Sequence, residues 1–302
     1  MMADFFSEFW SWFIIVPTVG GIVAMFWLNM WLSTKPDELD GKPMGHEWDG
    51  LVELNNPLPR WWLNLFYATL VFGIVYLILY PGLGSFEGVL KTGSVQRYNQ
   101  EMAQADKTYG PLYEGYMRED IAALAGNPEA MKTARRLFIN YCTICHGSDA
   151  GGGVGFPSLR DGDWLYGGSP ELIKASIMHG RVGSMPPWEA ALGREGVLQV
   201  SEYVLSLSGR RVSPAAAEAG KVKYQQMCVA CHGANGKGNP AMGAPNLTDN
   251  VWLYGGSQKT VMQSIAKGRS GRMPAHKEFL GEAKSHLLAA YVYSLSAANI
   301  DR

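Results

Sequence analysis

Apolar residues along this chain fall first into blocks and only later into faces. No charged side chain interrupts the 26 positions 9–34, and a second uncharged stretch of 26 covers 61–86. At 1.5 Å per residue each would extend roughly 39 Å as a helix, enough to cross a hydrocarbon layer of ~30 Å with tilt to spare. Both read as membrane spans. Trp61, Trp62, Tyr67 and Tyr80 are spaced as headgroup-level anchors of the second, and Pro17 marks a kink in the first. A cleaved leader is the competing reading of the first block and a buried core helix that of the second. The residues ahead of the first block carry no Lys or Arg, and no small-residue cleavage site follows it, so the leader pattern is incomplete. The connecting loop holds Lys35, Lys42 and Arg60 while the N-terminal flank holds no basic residue. That asymmetry predicts a cytoplasmic loop, with everything after Phe86 on the outer side.

Past the second block the pattern becomes helical. Ala134, Phe138 and Tyr141 stand at i, i+4 and i+7, behind an Asn127-Pro128-Glu129 start signal, and Ser213-Pro214 with Glu218 gives a second start. Apolar-periodic helices are predicted again over 197–207 and 286–295, with Gly-rich loops between. No alternating run supports a sheet, so the expected class is all-α. Self-comparison then divides the outer part. Cys142-Thr143-Ile144-Cys145-His146 recurs as Cys228-Val229-Ala230-Cys231-His232 at an offset of 86. From there on the offset is 88: Trp164-Leu165-Tyr166-Gly167-Gly168-Ser169 recurs as Trp252-Leu253-Tyr254-Gly255-Gly256-Ser257, and Gly180-Arg181, Met185-Pro186 and Tyr203-Val204 recur likewise. Such a repeat fixes two similar units. The expected organisation is a first span with its flank (1–34), a loop (35–60), a second span (61–86), a linker (87–126) and two repeats (127–212 and 213–302).

Composition supports this segregation. Charged residues are 18% of the chain, below the typical ~25%, and ten Trp are present, yet mean hydropathy is only -0.06. The formal charge of -1 offers no basic excess for a phosphate backbone and so argues against a nucleic-acid partner. Four Cys are too few for a disulfide scaffold, and all four lie in the two repeated motifs.

Cys-x-x-Cys-His is the attachment motif of c-type haem: two thiols one helical turn apart add to the porphyrin vinyl groups, and the adjoining His reaches the iron. The rival readings are a redox dithiol, which wants a βαβ context, and a zinc site, which needs ligands from both motifs. Two covalently bound haem c groups are therefore expected, at Cys142, Cys145 and His146 and at Cys228, Cys231 and His232. They would also give small units with thin cores an apolar centre. For the second axial ligand, Met185 and Met273 stand 39 and 41 residues after their His in a shared Gly-Arg-x-Gly-x-Met-Pro frame. His179, His276 and Met178 have no like residue at the aligned position. Whether each Met serves its own repeat or the other stays open. Pro157 and Pro245 are candidates to hold the free nitrogen of His146 and His232, against plain turn prolines. Trp164, Trp252, Arg181 and Arg269 are candidates for the haem propionates, against core aromatics and solvated Arg.

The repeats resemble two tandem class I cytochrome c domains. The loop between the spans is more specific: His46-Glu47-Trp48-Asp49-Gly50-Leu51, Glu53, then Asn55-Asn56-Pro57-Leu58-Pro59-Arg60-Trp61-Trp62 resembles the N-terminal signature of the dihaem subunit III of bacterial cbb3-type cytochrome c oxidases. The likeness covers essentially 40–302; the first span is an addition to the simplest members, which carry one. It implies a multi-pass inner-membrane protein with periplasmic haem domains. The partners it implies are a catalytic haem-copper subunit, the other oxidase subunits, and a soluble or anchored cytochrome donor. The chain itself would hold no independent catalytic centre, because two spans cannot assemble the His ligands of an oxygen-reducing site. Two other functions fit the same motifs: an anchored acceptor for a periplasmic dehydrogenase, and a dihaem peroxidase, which would need one displaceable iron ligand.

Overall fold

The computed structural model describes residues 8–34, 41–54, 56 and 58–300; Lys35, Asn55 and Pro57 of the loop lie outside them. The chain divides into two compact units, Met1–Thr108 and Tyr109–Arg302, each described by itself.

In the first unit, α1 (Glu8–Thr34) continues through Pro17. Strands β1 (Pro43–Trp48) and β2 (Leu51–Leu54) form an antiparallel hairpin, and α2 (Arg60–Leu79) follows. Both helices are long and apolar enough to cross a membrane. The second stops seven residues short of the uncharged block. Tyr80 is extended (φ -115°, ψ 157°) and Pro81 follows it, a pairing that disfavours helical backbone at the residue before the ring. The chain then turns back, with Val89 and Leu90 donating to the carbonyls of Ile78 and Leu79 at 2.9 and 3.0 Å. Ser85 donates from its backbone N–H and its hydroxyl to Ser11 Oγ of α1 at 3.1 and 3.2 Å, and the Phe26 and Tyr67 rings meet at 5.2 Å.

The hairpin corrects the all-α expectation. Its turn is Asp49-Gly50 with φ of 49° and 84°, the backbone of a type I′ turn, which only Asp, Asn and Gly adopt readily. The molecule is mostly helical with two small ladders. The stretch read as linker also has structure: α3 (Ser94–Met117) and α4 (Ile121–Leu124), the latter capped by Asp120, which accepts from Ala122 and Ala123.

The second unit continues α5 (Pro128–Tyr141), α6 (Thr143–His146), α7 (Pro170–His179), β3 (Arg181–Met185) and α8 (Glu189–Leu207), then repeats the order as α9 (Pro214–Met227), α10 (Val229–His232), α11 (Gln258–Lys267), β4 (Arg269–Met273) and α12 (Lys277–Ile300). Asn127 caps α5 as its sequence suggests; the Ser213 side chain makes no cap bond, and its backbone N–H donates to Glu202 at 2.7 Å instead.

The two repeats exchange their closing helices. One core joins Ala134 and Phe138 of α5 and Ile173 and Ile177 of α7 to Leu287, Leu288 and Val292 of α12. The other joins Val197, Val200 and Val204 of α8 to Tyr224 of α9 and Val261 and Ile265 of α11. Equivalent aromatic pairs mark both crossings, Phe138 with Tyr291 at 5.4 Å and Tyr224 with Tyr203 at 5.1 Å. Each closing segment is also tied by one backbone bond of 3.0 Å, from Trp188 to Ile265 and from His276 to Ile177. Between the bodies β3 and β4 pair antiparallel, with Gly183 opposite Gly271 at the centre. Gly180 and Gly268, at φ 68° and 71°, precede the strands; a Cβ at either would strike the Met-Pro backbone of the opposite strand, at Met273 and Met185 respectively.

Candidate functional site

Each Cys pair sits where a long helix gives way to a single tight turn. At the end of α5, Cys142 donates to Phe138 at 2.8 Å, while Cys145 and His146 donate back to the Cys142 carbonyl at 3.2 and 3.0 Å. That turn presents both thiols and the imidazole together. The second motif is built the same way: Cys228 donates to Tyr224 at 2.8 Å, and Cys231 and His232 to Cys228 at 3.2 and 2.9 Å. All four thiols are free.

Both imidazoles are buried and oriented. His146 Nδ1 lies 3.0 Å from the Pro157 carbonyl and His232 Nδ1 lies 3.3 Å from the Pro245 carbonyl. A carbonyl only accepts, so Nδ1 carries the proton and Nε2 keeps its lone pair, the tautomer a metal-ligating imidazole needs. Burial holds the pKa of each below the ordinary histidine value, against the pull of its proline carbonyl; the nearby His276 lowers that of His146 further. Burial also pushes the Cys142 and Cys228 thiols up to about 11, so at neutral pH they are thiols, unlike the activated thiolate of a redox dithiol. Among the described residues no three His, Cys, Asp or Glu side chains converge as a metal cluster, and the two motifs lie in separate cores. The zinc reading therefore has no geometry here.

The methionines arrive crosswise. Met273 packs against the core that holds Cys142, and Met185 against the core that holds Cys228. Met273, from the second repeat, thus packs on the body that carries the first motif, and Met185, from the first repeat, on the body that carries the second. Met178 and His179 instead line a cavity of about 360 Å³ with Asp120 and His286. His276 stays in the first body, its Nδ1 buried without a hydrogen-bond partner.

The propionate candidates separate. Trp164 packs on the first core and Trp252 on the second, and Trp252 Nε1 is buried with no partner. Arg181 and Arg269 are committed to the protein: each guanidinium lies over a tyrosine, Tyr166 at 4.8 Å and Tyr254 at 4.3 Å. Each also donates from Nε at 2.9 Å to a serine, Ser176 and Ser264. Those tyrosines and serines were not singled out from the sequence. The tyrosines were visible in it, inside the repeated Trp-Leu-Tyr-Gly-Gly-Ser, but nothing in that string says what they face. Arg210, also unforeseen, lies over Trp252 at 5.3 Å and donates to the Gly256 carbonyl.

This donor set fits covalent haem c. It offers paired thiols for the ring edge, a tautomer-fixed imidazole and a thioether for the iron, and a buried donor on Trp252 that lacks an acceptor such as a propionate carboxylate.

Comparison with known proteins agrees. The family model for the N-terminal domain of cytochrome oxidase-cbb3, FixP, matches residues 40–87, and that for cbb3-type cytochrome c oxidase subunit III matches 129–204 and 215–292. The chain is 45% identical over 297 residues to the cbb3-type cytochrome c oxidase subunit CcoP of Rubrivivax gelatinosus, covering 98% of this chain and 97% of that one. It is 39% identical to the CcoP of Rhodobacter capsulatus, covering 87% of this chain and 99% of that one. To the FixP of Sinorhizobium medicae it is also 39% identical, over 86% and 96%. Coverage of 98% leaves no room to omit the 27 residues of α1, so the Rubrivivax protein shares that segment.

Proposed function

The chain belongs to the family of subunit III of cbb3-type cytochrome c oxidases, and from that premise we propose that it is the membrane-anchored dihaem carrier of such an oxidase. In this reading it takes electrons from a cytochrome donor and passes them to the catalytic haem-copper subunit. The observation that carries it is the crosswise packing of Met273 on the core that carries Cys142 and of Met185 on the core that carries Cys228. On that basis the proposed donor sets are Cys142, Cys145 and His146 with Met273, and Cys228, Cys231 and His232 with Met185. Each set would hold one haem c, and residues 127–212 and 213–302 are the two attachment repeats.

When bound, a His/Met haem supplies a one-electron couple of raised potential with no open iron position. The chain's residues do the rest. The thiols fix the group covalently. Pro157 and Pro245 hold the imidazole protons on Nδ1 and so leave Nε2 to the iron. Met185 and Met273 contribute soft sulfur that favours the reduced state, and the flanking cores exclude water. A peroxidase would need one of these ligands to leave, and the dehydrogenase-acceptor reading finds no support among the relatives.

The two spans would place the haem bodies on the periplasmic side of the inner membrane and the β1–β2 hairpin on the cytoplasmic side. There the hairpin is the element we assign to docking on the catalytic subunit. Replacing 48–59 by a Gly/Ser linker of equal length should leave both haems attached while copurification and oxygen consumption are lost. A fully active complex would reduce the loop to a tether.

The ligand assignment has a sharper test. In a chain carrying Cys228→Ala and Cys231→Ala one covalent haem remains. Met273→Ala should strip its methionine-ligand spectrum, lower its potential and let it bind added CO; Met185→Ala should leave it unchanged. The opposite pattern would return each methionine to its own repeat. If the denatured wild-type chain retains no haem, the cytochrome reading itself fails.

A further inference from the structure

The seam between the two bodies carries a second crosswise arrangement, built on tyrosine. Tyr166 springs from the first repeat beside Trp164, yet its ring lies against Gly243 of the second repeat, where any Cβ would overlap it. Tyr254 mirrors it, with its ring edge 3.3 Å from where a Cβ on Gly155 of the first repeat would stand. The backbone joins the same place, Gly155 donating to the Leu253 carbonyl at 2.8 Å.

These glycines are not arbitrary loop positions. Gly155 and Gly243 each stand two residues before the proline whose carbonyl holds the iron-ligating histidine, Pro157 for His146 and Pro245 for His232. Each tyrosine therefore rests on the loop that orients the other repeat's imidazole. Both rings are themselves fixed from behind by the serine-held arginines, and both hydroxyls approach the paired glycines of the ladder, 3.2 Å from a Cβ position on Gly183 and 3.6 Å from one on Gly271. The ring cannot slide without displacing either an arginine held by its serine or the strand backbone.

We propose that Tyr166 and Tyr254 are positioning residues acting across the seam, each setting the placement of the other repeat's histidine loop and, through both, the separation of the two haem sites. This rests on the dihaem reading above. Placement matters twice: the Nδ1 hydrogen bond to the proline carbonyl tunes the basicity of the ligating imidazole, and the spacing of the two irons governs how fast one is oxidised as the other is reduced, with no proton or bond changing place.

The test uses the full chain in its oxidase, with Tyr166→Leu and Tyr254→Leu made separately and Phe at each position as the conservative control. Single-haem chains lacking one Cys pair assign each potential to its repeat. Three quantities are read: covalent haem content, the two reduction potentials, and the rate of electron equilibration between the haems after flash reduction. In Tyr166→Leu the potential of the haem at Cys228 and Cys231 should shift while that at Cys142 and Cys145 holds, and Tyr254→Leu should do the reverse. Equilibration should slow severalfold in both, and Phe should restore wild-type values. A shift confined to the tyrosine's own repeat would overturn the proposal, as would no shift at an unchanged rate, or a Phe variant as altered as Leu. If a Leu variant loses haem instead, loss from the opposite repeat supports the assignment and loss from its own refutes it. Should the wild-type chain hold only one haem, the dihaem reading fails first, and that count is visible before any tyrosine is changed.

Discussion

Asp163 and Asp249 come from different repeats, and their carboxyl groups interact as like charges across the seam. Partial burial and the charges of Asp249 and Asp161 raise the pKa of Asp163 above the ordinary carboxylate value. A carboxyl raised on folding binds its proton more tightly folded than unfolded. Its stabilising contribution is therefore complete below the ordinary ~3.9 and is lost as pH rises through the folded value. Asp163→Asn should consequently stabilise the haem bodies at pH 7, by no more than about 1 kcal/mol because solvent screens the pair, and give no gain near pH 3. Unfolding midpoints at the two pH values check this, and a gain independent of pH would sink it. At this scale the sequence was most legible where chemistry dictates spacing. The Cys-x-x-Cys-His turns and the two proline carbonyls at His146 and His232 were read from the motif and its repeat, and both are present in the structure. The serine partners of Arg181 and Arg269, Ser176 and Ser264, were not legible, because they lie in segments that look like ordinary polar helix surface.

Among the elements, the long helices announced themselves by block length and apolar period, while the boundaries moved wherever a local backbone rule outranked hydrophobicity. Pro81 ends α2 inside an uncharged block, and Gly193 and Gly281, at φ 66° and 74°, interrupt α8 and α12 so that the regular closing helices begin after them. The hairpin was missed because its strands are short and mixed, with His46 paired to Glu53 at 3.4 Å and only the Asp49-Gly50 turn to declare it. Nothing in the apolar blocks says how α1 meets α2, and the structure answers with a polar contact: Ser11 is buried and accepts twice from Ser85. Polar contacts between membrane helices contribute roughly 0.6–2 kcal/mol. Ser11→Ala should loosen the pair by about that much, and Gly84→Val should do worse, since Gly84 has φ 54° and a Cβ there would run into Ser11. Cysteines placed at Phe26 and Tyr67 report the effect: their cross-linking yield should fall in both variants. An unchanged yield in Gly84→Val would show that the helices associate without this contact.

For the molecule as a whole, the repeat predicted how many bodies there are but not which segments compose each one. Similar sequences make the closing helices interchangeable: α8 and α12 carry equivalent crossing tyrosines, Tyr203 and Tyr291, and either could complete either core. The choice is made by β3 and β4, which carry the chain across the seam before the closing helix begins. One body is consequently continuous, from Met185 through α11, while the other needs α12 from the far end of the chain. Leu280, Leu287, Leu288 and Val292 of α12 are all buried in that discontinuous body. At about 1.5–3 kcal/mol for each buried side chain their loss removes roughly 6–12 kcal/mol, as much as the whole net stability of a typical domain. Fragments exported with the haem-attachment machinery should therefore behave against the order of the sequence. The first repeat alone, 127–212, has its Cys pair and histidine but lacks its packing partner, and should yield little folded, methionine-ligated haem protein. The span 181–273 cuts across both repeats, yet it holds α8 to α11 with Met185 and Cys228, and should fold as a one-haem cytochrome. If 127–212 instead gives a stable methionine-ligated product, α8 closes on its own repeat when α12 is absent, and the exchange is a preference of the intact chain rather than a requirement of its cores.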